Sequence, residues 1–218
     1  MPQILKVDPL IPTLWEDLFD KTKEVLKNGG VIAFPTDTFY GLGADPFNKT
    51  AVDKIYEIKN RDSKKPLLLL IDSLEKLDDL VEEPSKDSVR LIEIFWPGPL
   101  TILFKPKSTI PENITTGLLG LRQPGNAITR KLLSVLDHPL TATSANFTGK
   151  IPATTAEQVE LQLGNKLDLI LDAGACKGEQ PSTLVDATQK PVRLIREGAV
   201  SFKCIQESLE SLQTQEPL

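Results

Sequence analysis

Short apolar runs of strand length alternate with segments of helical period from one end of this 218-residue chain to the other. That alternation leaves few folds open, because each element must bury one face against another: an α/β fold with a sheet covered by helices is expected. The first helix is predicted to open on a capping box, Thr13 to Glu16, to carry Leu14, Leu18, Val25 and Leu26 inward, and to stop at Gly29-Gly30. A strand over 31–34 follows, then a helix over 50–59 with Val52, Ile55 and Tyr56 inward, and a strand over 67–71. Helices over 74–81 and 85–95, a strand over 101–104, a helix over 127–136 and a strand over 140–144 continue the pattern. A helix over 155–163 has Thr155 and Gln158 at capping-box spacing. Strands over 167–171, 183–185 and 192–195 follow without helices between them, so the sheet should be mixed. Nothing in the composition marks a boundary, so residues 1–200 read as one domain. A tail over 201–218 carries Ile205, Leu209 and Leu212 at helical spacing.

Several chemistries are excluded by scarcity. The chain has one histidine, His138, and two cysteines, Cys176 and Cys204. A His/Cys zinc site needs three or four ligands at short spacing, and a Ser-His-Asp relay would rest on His138 alone. His138 reads as structural, and the cysteines as small core residues of a reducing compartment. The net charge is −5, so a polyanion must be met by a local cluster of cations. The N-terminus lacks the basic start of a signal peptide, and no apolar run approaches the ~20 residues of a membrane span. A cytoplasmic protein is expected, with no membrane partner.

Three segments could carry chemistry. Pro35 to Gly43 (PTDTFYGLG) follows a strand, where its hydroxyls could hold a ligand and Gly41 and Gly43 could admit it closely; a strand-ending turn would use the same residues. Lys59 to Pro66 (KNRDSKKP) concentrates cations that could grip phosphates, or that simply favour a helix C-terminus. Thr141 to Gly149 (TATSANFTG) offers hydroxyls and amides that suit an anion cradle or a string of caps. Trp96 to Pro99 reads as a rigid turn. No nucleophile–histidine pair accompanies these groups, so a site built from them would work by positioning and charge neutralisation.

Taken in order, PTDTFYGLG, KNRDSKKPLLLL, FWPGPLTILF, GLRQP, TATSANFTG, STLVD and REGA resemble the YrdC-like family of threonylcarbamoyl-AMP synthases, in its short single-domain form. The resemblance runs from about Thr13 to Val200. It implies a twisted mixed sheet flanked by helices with a concave basic face. It also implies a reaction in which L-threonine, bicarbonate and ATP give threonylcarbamoyl-AMP and pyrophosphate, with Mg2+ accompanying ATP. The product would pass to proteins that transfer the threonylcarbamoyl group to tRNA. By the resemblance, Thr38, Arg122, Ser144 and Ser182 match threonine contacts. Lys59, Arg61, Lys65, Asn146, Thr154 and Arg196 match ATP contacts, with Lys59, Arg61 and Ser144 positioning the reactants.

The chain departs from the family pattern at Leu70 and Asn126, each where relatives carry a histidine. Three alternatives accompany this reading: a YciO-like paralogue, which departs at the Ser144-Ala145-Asn146 stretch that is intact here; the related carbamoyl-transfer domain of the hydrogenase maturation protein HypF, which usually belongs to a much longer chain with zinc-finger cysteines; and a non-catalytic module binding tRNA or double-stranded RNA.

Overall fold

The computed structural model describes residues 1–115 and 117–213, with backbone alone at 211–213. The first half holds β1 (Gln3–Lys6), α1 (Trp15–Lys27), β2 (Ile32–Phe34), β3 (Gly41–Gly43), α2 (Lys49–Lys59), β4 (Leu68–Leu70), α3 (Glu75–Leu80) and α4 (Lys86–Phe95). The second holds β5 (Leu100–Phe104), β6 (Leu119–Arg122), α5 (Ala127–Val135), β7 (Leu140–Ser144) and α6 (Ala156–Leu163). It closes with β8 (Leu169–Asp172), β9 (Thr183–Asp186), β10 (Arg193–Arg196) and α7 (Phe202–Gln213). The strands form one sheet in the order β1-β8-β2-β3-β7-β4-β6-β5-β9-β10. Four pairs are parallel (β1/β8, β2/β8, β4/β6, β5/β9) and the rest antiparallel, so the expected mixed sheet is present.

Strand alternation sorts the core into two layers. One parity, with Ala33, Leu69, Ile102, Leu121 and Val185, packs against apolar faces of α2, α3, α4, α6 and α7. The other parity, with Ile32, Phe34, Leu140, Leu169 and Leu171, packs against α1 and α5. Helices therefore lie on both faces, and among the described residues only α1 and α5 lie on the second.

Local chemistry explains where the elements begin and end, and where the sequence misleads. Thr13 does not cap α1. Pro12 starts a 3-10 turn over Pro12–Leu14, Thr13 is already inside it, and α1 begins with no side-chain cap. The buried face consequently falls on Trp15, Phe19 and Leu26, while Leu14 is 58% exposed. The stop is as expected: Gly29 N–H donates to Leu26 O and Gly30 N–H to Val25 O, both at 2.9 Å, the two bonds of a Schellman motif. At α6 the capping box is displaced by one residue. Thr155 Oγ1 accepts from Gln158 N–H, but Gln158 Oε1 accepts from Thr154 N–H rather than from Thr155.

Strands β1, β3 and β6 are short and were not evident as apolar runs. Gly41 and Gly43, expected to admit a ligand, lie in β3; Gly41 lines the cavity described below, whereas Gly43 instead admits side chains. A Cβ at Gly43 would come within 2.8 Å of Phe34 and Leu140. Cys204 is exposed, against expectation, while Cys176 is half-buried and packs against the larger core. The helix predicted in the tail is α7; Ile205 is fully buried in the larger core, Leu209 is half-buried, and the Leu212 side chain lies outside the described residues.

Candidate functional site

Where α1 and α5 stop, the second sheet face stays open over β7, β4, β6, β5 and β9. A cavity of about 670 Å³ occupies it, and among the described residues none in a helix lines it. Its floor is the alternate residues of five strands or strand edges: Leu68 and Leu70, Thr101 and Leu103, Gly120 and Arg122, Ala142 and Ser144, Ser182 and Leu184. Register brings them together, since Leu68 stands between Ala142 and Gly120, and Gly120 beside Leu103. The site therefore spreads across a sheet face rather than lying only beyond strand ends, as the sequence suggested. A sheet containing antiparallel pairs can leave one face uncovered.

Loops build the rim. After β2, Thr36 Oγ1 donates to Phe39 O at 2.6 Å and lies 3.0 Å from Thr38 Oγ1. This tight turn buries Thr38 at the cavity edge and turns Asp37 toward β6. Asp37 Oδ1 accepts from Arg122 Nη2, and its other oxygen accepts from Gly125 N–H at 3.2 Å. Arg122, 4% exposed, also donates from Nε to Gly98 O at 3.0 Å. The Trp96–Pro99 turn is thus a backbone buttress for this guanidinium. Ser182 Oγ lies 2.9 Å from Thr101 Oγ1, and Arg196 Nη2 donates to Ser182 O at 2.8 Å. Gly198 lets the 196–199 segment pass close to this point, because a Cβ there would lie 2.2 Å from Pro181 O.

Three guanidiniums meet over the floor. Burial lowers the Arg61 pKa, although Tyr56 opposes the shift. Burial also lowers Arg196, with the charge of Arg61 adding to the effect. Arg122 is lowered by burial and further by Arg196, while Asp37 pulls the other way. Arg61 Nη2 donates to Pro66 O at 3.0 Å, but its Nε is buried with no partner. Three cations with one close carboxylate partner make the cavity a place where an anion relieves repulsion. A neighbouring cleft of about 560 Å³ shares Thr38 and is bordered by Asp37, Glu179, Glu197 and Lys177.

Of the residues singled out in the sequence, Thr38, Arg61, Lys65, Arg122, Ser144, Ser182 and Arg196 line this one cavity. Lys59, Asn146 and Thr154 do not. Lys59 is 2% exposed beneath the β7 end, Asn146 is 5% exposed beside it, and Thr154 N–H and Oγ1 both bond Gln158. Leu70 lines the floor, and Asn126 caps α5 by accepting from Thr129 N–H at 3.0 Å. His138 bonds Pro139 O at 2.8 Å, away from the cavity lining. Asp37 and Thr101 were not singled out as site residues. Asp37 stood only as one residue of the 35–43 segment that a strand-ending turn would also use, while Thr101 shares the cavity-facing parity of Leu103, a signal visible once β5 is placed.

The fold and this site define a class, an α/β domain whose open sheet face holds a cationic, hydroxyl-lined cavity. The chain belongs to the Sua5/YciO/YrdC family, whose model carries the description "Telomere recombination" and matches residues 24–198. It is 36% identical over 84% of its length to the threonylcarbamoyl-AMP synthase of Pyrococcus abyssi, of which it spans 54%. It is 34% identical to that of Vibrio parahaemolyticus, over 84% of this chain and 100% of the relative. The structure of P. abyssi Sua5 complexed with L-threonine superposes with a TM-score of 0.88 at 31% identity, covering 96% of this chain and 61% of that one. Escherichia coli YciO superposes at 0.84 with 26% identity, covering 94% and 100%.

Proposed function

We propose that this protein is an L-threonylcarbamoyladenylate synthase, forming threonylcarbamoyl-AMP and pyrophosphate from L-threonine, bicarbonate and ATP. The observation that carries the reading is the group of three guanidiniums, Arg61, Arg122 and Arg196, over a floor that also presents the Thr38, Ser144 and Ser182 hydroxyls. The family membership and the synthase names of its relatives support it.

Arg122 is fixed by Asp37 and Gly98, so its remaining N–H groups can donate to the threonine carboxylate at little entropic cost. The hydroxyls of Thr38, Ser144 and Ser182 would hold the rest of the amino acid. Arg61, Arg196 and the exposed Lys65 would take the triphosphate. The threonine amine condenses with bicarbonate to a carbamate, releasing water. A carbamate oxygen then attacks the α-phosphorus, the new P–O bond forms, and the bond to the pyrophosphate oxygen breaks in line. No side-chain nucleophile is needed; the cations neutralise charge that moves onto the leaving pyrophosphate.

Magnesium would enter with ATP as part of the substrate. Such ions keep several waters and bind chiefly through phosphate oxygens. Asp37, the carboxylate at the cavity edge, is already hydrogen bonded to Arg122. The chain's part toward the ion is therefore to hold the phosphates that carry it. The acyl adenylate is a reactive mixed anhydride, and its consumption by tRNA-modifying transfer proteins belongs to this proposal.

The test supplies labelled bicarbonate, threonine and ATP. Adenylate and pyrophosphate should appear together and only with threonine present. Pyrophosphate release independent of threonine would overturn the assignment.

A further inference from the structure

Lys59 ends α2 and does not line the cavity that its neighbours Arg61 and Lys65 line. Its Nζ donates to Ser144 O, to Asn146 O at 2.8 Å and to Asn146 Oδ1 at 3.5 Å. The return contact is backbone, with Thr148 N–H donating to Lys59 O at 2.9 Å. Asn146 is spent in the same knot, its Nδ2 donating to Phe147 O and Lys150 O at 2.8 and 2.7 Å. A buried ammonium takes three acceptors from one short loop, and the residue at the start of that loop is Ser144, whose side chain reaches the cavity.

We propose that Lys59 is a positioning residue for the amino-acid half of the site: it clamps the end of β7 and thereby fixes the Ser144 hydroxyl, without touching the nucleotide. The inference rests on the reading of the cavity as a threonine and ATP site. An ammonium suits the task because its three donors match three convergent oxygens. Its burial is costly, since desolvation and then Arg61 lower its pKa to about 8. A group kept charged in such a place is compensated by the bonds it makes.

The experiment measures L-threonine and ATP dissociation constants by calorimetry for wild type, Lys59→Met, Ser144→Ala and the double variant. Lys59→Met should weaken threonine by about tenfold or more and change ATP by less than about threefold. The double variant should bind threonine within about twofold of the weaker single, because both losses run through one hydroxyl. A tenfold loss of ATP with threonine unchanged, or additive threonine penalties, would overturn the proposal. Hydrogen exchange separates it from the substrate assignment. Lys59→Met should speed exchange at the Ala145 and Thr148 amides by about tenfold, with distant strands unchanged. If wild type bound neither ligand, that result would uphold the clamp while the substrate assignment fell; unchanged exchange would remove the clamp. Should Lys59→Met not fold, Asn146→Ala removes the side-chain acceptor of the clamp and the two amide hydrogen bonds that hold the loop, and a threonine-selective loss in the same direction is expected.

Discussion

The two ends of one sheet face have the same backbone and opposite fates. At the covered end, Ile32, Phe34, Leu140, Leu169 and Leu171 are fully buried beneath α1 and α5. At the open end, the same parity reads Thr101, Leu103, Gly120, Arg122, Ser182 and Leu184. The covered end offers side chains that only a helix can match, so a helix docks there. The open end mixes leucines with hydroxyls, a guanidinium and a glycine. No amphipathic helix could bury that mixture without stranding polar groups, and the surface remains free for a ligand that is itself part apolar and part anionic.

The sharpest way to break the comparison is to disturb both ends in turn. Phe34→Ala removes a fully buried ring beneath the helices and should cost about 3–5 kcal/mol in urea unfolding. Gly120→Val should leave stability within about 1 kcal/mol, since a Cβ at Gly120 meets only ordinary contacts of 3.4–3.6 Å. Its branched side chain would stand on the cavity floor, and ATP affinity should fall by about tenfold or more. Equal destabilisation by the two variants would show that both ends are core.

Arg122→Leu tests whether the open end is a site because of its charge. Truncating one partner of a buried charged pair costs about 2–5 kcal/mol, and here it leaves Asp37 without its guanidinium. Threonine affinity should fall by about a hundredfold, read by calorimetry, with ATP less affected. Unchanged threonine binding would remove Arg122 from the amino-acid subsite.

These expectations mark how much was legible beforehand. The helices and long strands were readable because apolar spacing states its period directly, as along Val52, Ile55 and Tyr56. Strand β3 was not, because Gly-Leu-Gly has no apolar alternation of its own and becomes a strand only when β2 and β7 supply partners on both sides. The cavity residues Arg61, Arg122 and Ser144 were legible as motifs. That Asp37 would hold Arg122 was not, because the pair is 85 residues apart and only the sheet brings it together. Lys59 illustrates the same limit. A lysine in a basic run reads as a phosphate ligand, and its burial follows from the path of 144–148 over the end of α2, which no local pattern encodes.

Lys59 also ties the stability of the fold to pH. The folded protein holds its ammonium only up to about pH 8, against 10.5 for an ordinary lysine. Between those values the unfolded chain binds more protons, so folding becomes more favourable as pH rises through that window. Relative to Lys59→Met, wild type should gain up to about 3 kcal/mol between pH 8 and 10.5, measured as the difference in urea midpoints. Parallel profiles for the two proteins would show that the ammonium is not desolvated.

The smallest effect separates the rim from the floor. Lys65 borders the cavity but is exposed, so its attraction for phosphate is screened by salt and by water. Lys65→Ala should weaken ATP by about threefold at low ionic strength, and the difference should vanish near half-molar salt, where the screening length is about 4 Å. Arg61→Ala should behave otherwise. Its Nε is buried and unpartnered, so the loss in ATP affinity should exceed about tenfold and persist at high salt. If both variants lost affinity in the same salt-dependent manner, Arg61 would be a rim charge like Lys65. The open end would then bind its anion by diffuse attraction rather than by a donor held in place.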